Sequence, residues 1–514
     1  MLTRVDPYTD LQTGDDTRPP AIVVGAGFGG LAAAMRLGAK GYRVTVIDKL
    51  DIVGGRASSI TKDGHRFDLG PTIITVPEVF RELWDATGRN FDDYVDLSAL
   101  KEFYEIRWPD GSHFTASGST EEMRAEVERL SPGDLKGYDK FLKDSERRYS
   151  FGFEDLGRRS MHKFMDLVKV LPTFGMLRAD RSVLAHAKRR VKDKRLQMAL
   201  SFHPLFIGGD PMHVTSMYIL VSYLEKEFGV HYAQGGAGAI ALAMAKVIQE
   251  QGGRLMLNTQ VDEITTDGDR VTGVRLDGGD SLRAGLVVSN ADAGHTYLKA
   301  LKRPKKRWTN TRLTDRTRWS MGLFVWYFGT KGTAKMWPGA GHHTILNGPR
   351  YEGLLDDIFM KGKLADDMSL YIHRPSVNDP SAAPAGDDTF YALSPVPHLG
   401  HDNPVDWAKE AEPYRQKVQA VLEQQLLPGF SEHLTAQHIL TPADFETRYL
   451  SPFGSAFSIE PRILQSAWFR PHNVSEEVEG LFLVGAGTHP GAGLPGVIAS
   501  AEVLGKLVPE AVSR

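Results

Sequence analysis

Apolar and polar positions alternate most informatively near the start of the chain. A short apolar run from Ala21 to Val24 meets Gly25-Ala26-Gly27-Phe28-Gly29-Gly30, an alanine-rich stretch of helical character follows, and a second β-branched run, Val44 to Ile47, ends on Asp48. That order predicts a strand, a tight glycine turn, a helix and a parallel strand, the βαβ unit that binds dinucleotides. In such a unit Gly25 makes the turn, Gly27 admits a pyrophosphate to the backbone, and Gly30 lets helix and strand pack closely. The helix N-terminus supplies partial positive charge for phosphates, and Asp48 is placed for ribose hydroxyls, where its charge repels a 2′-phosphate.

Further along, the pattern changes. Lys49 to Arg56 carries a Gly54-Gly55-Arg56 loop, and Phe67 to Thr72 reads as an extended segment ending in a Gly70-Pro71-Thr72 turn. Ser119 to Lys143 has helical periodicity broken at Ser131-Pro132-Gly133-Asp134. From Arg158 to Arg195, Met161, Phe164, Leu167, Val168 and Leu171 recur at helical spacing among cations, and Pro172 is expected to end that helix. Such a basic amphipathic helix suits a membrane interface, and packing on the protein's own core is the competing reading. Ser201 to Leu224 reads as helices joined by a Gly208-Gly209-Asp210-Pro211 loop; His203 and His213 stand alone there, and a lone histidine is more often structural than catalytic.

An Ala/Ile-rich helix opens at Gly235-Gly236, Arg254 to Val261 reads as one strand, and Glu263 to Thr266 and Val271 to Leu276 form a hairpin across Asp-Gly-Asp. Ala284 to Asn290 reads as a buried strand of the nucleotide sheet. Lys302 to Arg318 is a basic run, expected to be a solvated face. Gly322 to Phe328 is apolar on both faces, which suits a central strand between a core and an apolar ligand. Val405 to Leu427 predicts a long helix, and Leu481 to Lys506 a buried strand, a Gly/Pro loop and a closing helix that starts near Pro495. A second glycine loop ending in a helix N-terminus suits the electron-rich edge of a reduced flavin.

The fold expected is α/β: a Rossmann-type nucleotide domain with an interleaved mixed α/β substrate domain and a helical region that docks on membranes. The pieces are a disordered leader (1–20), a discontinuous nucleotide domain (21–117, 230–300 and 455–514), a helical region (118–229) and a substrate domain (301–454). Composition narrows the chemistry. A length of 514 residues supports more than one domain, a net charge of −3 offers no footprint for nucleic acid, and the absence of cysteine removes thiolate nucleophiles and cysteine-ligated clusters. No metal site is expected, and no window is apolar for long enough to span a bilayer.

The glycine motifs, with Phe67 to Thr72, Ser201 to Pro211, Ser289 to Tyr297, Gln465 to Asn473 and the terminal GAGTHPGAGLPGVIASAE, resemble the bacterial phytoene desaturases of carotenoid biosynthesis, within the amine-oxidase-like flavoproteins. The resemblance implies non-covalent FAD rather than NAD. Its site would comprise Gly25, Ala26, Gly27, Phe28, Gly29, Gly30, Asp48, Lys49, Gly55, Arg56, Gly70, Pro71, Thr72, Val261, Gly485, Gly487, Thr488, Pro495, Gly496 and Val497. The superfamily more often has glutamate at the ribose, and Asp48 makes the same contact with a shorter side chain. The implied reaction is desaturation of 15-cis-phytoene to neurosporene or lycopene, with hydride transfer to the flavin and loss of a proton. No residue stands out as the catalytic base. Implied partners are a C40 polyene, a membrane surface and oxygen or a quinone as electron acceptor, with a cytoplasmic location at the inner membrane. The alternatives are another carotenoid enzyme (a C30 or hydroxycarotenoid desaturase, a ketolase, an isomerase) or a non-catalytic prenyl-lipid-binding relative.

Overall fold

The computed structural model describes residues 17–302, 313 and 317–512. Most of the expected leader and most of the basic run after Lys302 therefore lie outside the described residues.

Two sheets organise the chain. The first has five parallel strands in the order Leu481–Leu483, Leu286–Ser289, Pro20–Val24, Arg43–Ile47 and Arg254–Met256. Val23 pairs with Val46 on one side and Val288 on the other, so the first strand of the chain is central and its apolar run is explained by burial on both faces. The helices Ala237–Glu250 and Leu494–Leu507 both pack on Phe28–Ala39. Alanines at 32–34, 241 and 501 are sealed between them, which permits close approach of the helix axes.

The hairpin forms as Val261–Asp267 against Arg270–Leu276, closed by the pair Asp267↔Arg270. The single strand expected from Arg254 to Val261 is instead two: Arg254–Met256 joins the parallel sheet, the chain turns through Asn258 in the left-handed region, and Val261 opens the hairpin. Thus Val261 begins a strand rather than ending one.

The second sheet has seven strands: Leu434–Leu440, Gly322–Thr330, Asp388–Val396, Leu370–His373, His343–Leu346, Glu102–Arg107 and His113–Ser117. Neighbours are antiparallel except where His343–Leu346 runs parallel to Glu102–Arg107. Residues up to 117 are expected in the nucleotide unit, yet these two strands complete the other sheet. Every residue of Gly322–Thr330 is buried. Phe324, Trp326 and Phe328 pack with Trp407, Tyr414, Val418 and Leu422 of the helix Trp407–Gln425, while Leu323, Val325 and Tyr327 point to the opposite face.

Helices fill the interval between 118 and 229. Thr120–Leu130 is capped by Ser119, whose Oγ accepts the Glu122 N–H, and the expected break separates it from Leu135–Tyr149. Phe164–Met176 runs through Pro172 instead of ending there. The proline ring lies on the solvent side, where water can satisfy the carbonyl one turn earlier. Leu167 and Val170 are buried, Met161 is buried ahead of the helix, and Phe164, Met165, Val168, Leu171 and Met176 are exposed.

Candidate functional site

A cavity of about 540 Å³ runs between the two sheets. Its polar end is built by glycine. The Gly25 N–H donates to the Ile47 carbonyl at 2.7 Å and folds the first strand's end over the second. A Cβ at Gly30 would sit 2.0 Å from the Gly25 carbonyl oxygen, so the turn closes only with glycine there. Cβ atoms at Gly29 and Gly485 would lie 2.6 and 2.7 Å from Asn290 Oδ1. The glycine loops from opposite ends of the chain therefore meet on one side chain, Asn290, at the end of the strand Leu286–Ser289.

Asp48 closes this end. Its Oδ2 accepts the Ala26 N–H at 2.6 Å and its Oδ1 accepts the Leu50 N–H at 2.8 Å. Burial pushes the carboxyl above the ordinary aspartate range, opposed by those two backbone donors. The Gly54 N–H donates to the Ala26 carbonyl at 2.8 Å and brings Arg56 alongside. The Arg56 guanidinium donates to Ser451 Oγ and lies 3.9 Å from Asp292 Oδ2. Burial pulls its pKa below the usual arginine range, and Asp292 opposes that.

Gly25, Gly27, Phe28, Gly29, Asp48, Lys49, Gly55, Arg56, Gly70, Pro71, Thr72, Val261, Gly485, Pro495, Gly496 and Val497 line the cavity. Ala26, Gly30, Gly487 and Thr488 stand behind the wall: Ala26 holds Asp48 and Gly54, Gly30 packs under Gly25, Gly487 lies against Ser458, and the Thr488 N–H donates to the Gly485 carbonyl. Lys49 lines the wall with its ammonium on the Thr447 carbonyl. The Gly70–Thr72 turn is tied to the seven-stranded sheet by tyrosines: Thr72 Oγ1 lies 2.9 Å from the Tyr371 hydroxyl and 3.0 Å from that of Tyr391, and the Tyr327 hydroxyl donates to the Leu69 carbonyl.

Sequence reasoning missed Asn290, Asp292, Arg448 and Tyr449, all of which face the cavity. A signal existed for the first two, since Ser289-Asn290-Ala291-Asp292 follows a buried strand directly. His489 also lines the cavity; its ring sits 3.0 Å from the Leu156 carbonyl, and burial holds its pKa down at about 4.

This end fits a dinucleotide. The helices Phe28–Ala39 and Leu494–Leu507 both start at glycines without a side-chain cap, and Arg56 Nε is buried with no partner. Uncapped N–H groups and an unpaired guanidinium nitrogen are what a pyrophosphate occupies. The other end is lined by Leu205, Phe206, Leu323, Val325, Leu355 and Ile358 and suits a hydrocarbon.

The model of the family "flavin containing amine oxidoreductase" matches residues 28–502. A neurosporene-forming phytoene desaturase of Cereibacter sphaeroides is 70% identical over 96% of this chain and 95% of its own. A lycopene-forming phytoene desaturase of a Paracoccus species is 41% identical over 95% and 97%. An oxidoreductase structure from Methanosarcina mazei superposes with a TM-score of 0.63 at 17% identity, over 95% of this chain and 100% of that one. A Rab GDI from Plasmodium falciparum shares the fold at a TM-score of 0.54 and 11% identity, over 97% and 99%. With its glycine loops, Asp48 and the uncapped helix ends gathered on one cavity, the chain belongs to the flavin-containing amine oxidoreductase family, among the bacterial phytoene desaturases, and its cofactor is FAD.

Proposed function

We propose that this protein desaturates 15-cis-phytoene to neurosporene or lycopene. The observation that carries the reading is a single cavity with a nucleotide-shaped polar end and a hydrocarbon-shaped apolar end. Gly25 to Gly30 and Arg56 would hold the pyrophosphate of FAD, Asp48 the ribose, and Gly70–Thr72 with Gly485 to Val497 the ring end. When bound, the flavin supplies a hydride acceptor. The chain's own residues do the rest: Leu323, Val325, Phe206 and Ile358 strip water from the substrate and keep it extended, and the tyrosines on Thr72 fix the junction where the two ends meet. Co-expression with a phytoene synthase, followed by chromatography, tests this. Neurosporene or lycopene is expected; unchanged phytoene alongside consumption of a C30 or hydroxylated carotenoid would sink it.

A water-insoluble substrate must be collected from a bilayer, and the Phe164–Met176 helix supports docking there. Its Phe174 lines the cavity while Phe164, Met165, Val168, Leu171 and Met176 are exposed. Arg158, Arg159 and Arg178 are paired with carboxylates, so Lys163, Lys169 and Arg181 are the cations offered to lipid headgroups. Among the described residues no helix is long and apolar enough to cross a membrane, in keeping with peripheral attachment at the inner membrane. Co-sedimentation with anionic liposomes is expected for the wild type and not for a Phe164→Asp/Leu171→Asp variant; equal binding removes the helix from this account. Oxygen or a membrane quinone would reoxidise the cofactor.

The rival reading is a non-catalytic prenyl-lipid-binding relative. Purified protein that shows no flavin absorbance, and gains none with added FAD, would favour it.

A further inference from the structure

A hydrocarbon has no use for a carboxylate, yet the cavity wall holds one. Glu225, on the helix Leu220–Phe228, is 6% exposed, and its Oε2 accepts from the Tyr104 hydroxyl at 2.8 Å and lies 3.1 Å from His203 Nε2. Tyr104 and His203 are themselves 3.1 Å apart, which closes a triangle of buried polar groups. Glu225 and His203 both line the cavity, among Phe202, Phe206 and Leu224. Burying a carboxylate among such side chains is expensive, and the hydrogen bonds on Oε2 offset only part of that cost. Both contacts fall on Oε2, and among the described residues Oε1 has no hydrogen bond.

The group is linked along the cavity wall to the Gly70–Thr72 turn: Phe202, stacked on His203, packs against Phe206 with centroids 5.3 Å apart, Phe206 packs at 5.6 Å on Tyr371, and the Tyr371 hydroxyl lies 2.9 Å from Thr72 Oγ1. The helix that carries Glu225 leads directly to His231, which exchanges hydrogen bonds of 3.1 and 2.8 Å with Ile74, shortly after the Gly70–Thr72 turn. His203 is 4% exposed and stacks on Phe202 with ring centroids 4.4 Å apart, so its orientation is fixed from both sides.

We propose that Glu225 is the proton acceptor of the desaturation, with His203 and Tyr104 as positioning residues; this rests on the function read above. Each new double bond requires two C–H bonds on adjacent carbons to break. With FAD bound, one hydrogen would leave with its electron pair to the cofactor, which would be reduced. The other leaves as a proton to Glu225 Oε1, and its electron pair becomes the π bond. The carboxylate becomes a carboxylic acid, and its contacts with Tyr104 and His203 hold Oε2 in place.

The test uses the FAD-loaded protein, mixed anaerobically with phytoene in liposomes. Glu225→Gln should keep its flavin content and its rate of reoxidation after dithionite reduction, while bleaching by substrate slows about a hundredfold or more. The acid-side fall of the bleaching rate should vanish with it, and Glu225→Asp should restore part of the rate. Infrared difference spectra of the wild type should gain a carboxylic-acid band on reduction by substrate that Glu225→Gln lacks. A loaded Glu225→Gln protein that bleaches at the wild-type rate overturns the proposal and leaves the function standing. A wild type that phytoene does not bleach overturns both. Should Glu225→Gln lose its flavin, Tyr104→Phe removes one donor from Oε2 and should shift the pH profile; an unmoved profile overturns the assignment.

Discussion

At the scale of single residues, the polar end depends on backbone groups that side chains hold in place. Asp48 does two things at once: it faces the cavity and it satisfies the Ala26 and Leu50 N–H groups. Asp48→Ala would orphan both donors at a cost of about 2 kcal/mol and release the glycine loop from the second strand's end. Gly30→Ala is a different injury, because the new Cβ would lie 2.0 Å from a backbone oxygen that cannot move aside without opening the turn. Both variants should lose FAD on desalting, measured as flavin absorbance per protein. Gly30→Ala should not recover with excess FAD, whereas Asp48→Ala should recover in part; identical recovery would show that Asp48 acts only through the loop's shape. The loop and its acid were legible because their chemistry is local, written between Ala21 and Asp48. Asn290 was not, since its importance arises from contact with two loops far apart in sequence, and Glu225 was invisible as a partner of His203 until the fold joined them to Tyr104.

At the scale of elements, the strand Gly322–Thr330 shows how one apolar run serves two tasks. Its uniform hydrophobicity announced a buried central strand, and the alternation of side chains then divides it between a core and a cavity. Trp326→Ala should lower stability by about 3–5 kcal/mol, because that indole is fully buried against Phe328 and Phe430. Val325→Phe, one position earlier, projects into the cavity. It should leave the unfolding transition close to the wild type's and shorten the desaturation sequence by obstructing passage of the chain, read as a shift toward less desaturated products. A stability loss at Val325 as large as that at Trp326 would mean the cavity face is packed core. Other elements resisted a sequence reading for topological reasons. Glu102–Arg107 joins the distant strand His343–Leu346, a parallel pairing across more than 200 residues that no local pattern encodes. The helix through Pro172 survives because the proline faces solvent, a fact that belongs to the packed molecule and not to the residue.

At the scale of the whole molecule, burial favours the neutral form of several histidines. Burial holds His342 and His398 down at about 3 and His489 at about 4, and pushes His343 and His373 well below the ordinary value of 6.5. The unfolded chain binds protons at these rings near pH 6.5 and the folded chain does not. Each ring's contribution is therefore intact above pH 6.5 and is lost as the pH falls from there toward the folded value, at up to about 1.4 kcal/mol per pH unit. Asp48, Asp68 and Glu460, whose carboxyls burial raises, act in the opposite sense on acidification, so the sum is best resolved with a variant. His489 is the informative one, because its Nε2 bridges the carbonyls of Leu156 and Arg159 and so ties the helical region to the terminal glycine loop. Unfolding midpoints should decline from pH 7 to pH 5, a window above the titration of ordinary carboxylates, and His489→Gln should decline less steeply than the wild type. Parallel curves for the two proteins would mean that His489 binds protons equally in the folded and unfolded states, so that burial does not hold its ring neutral.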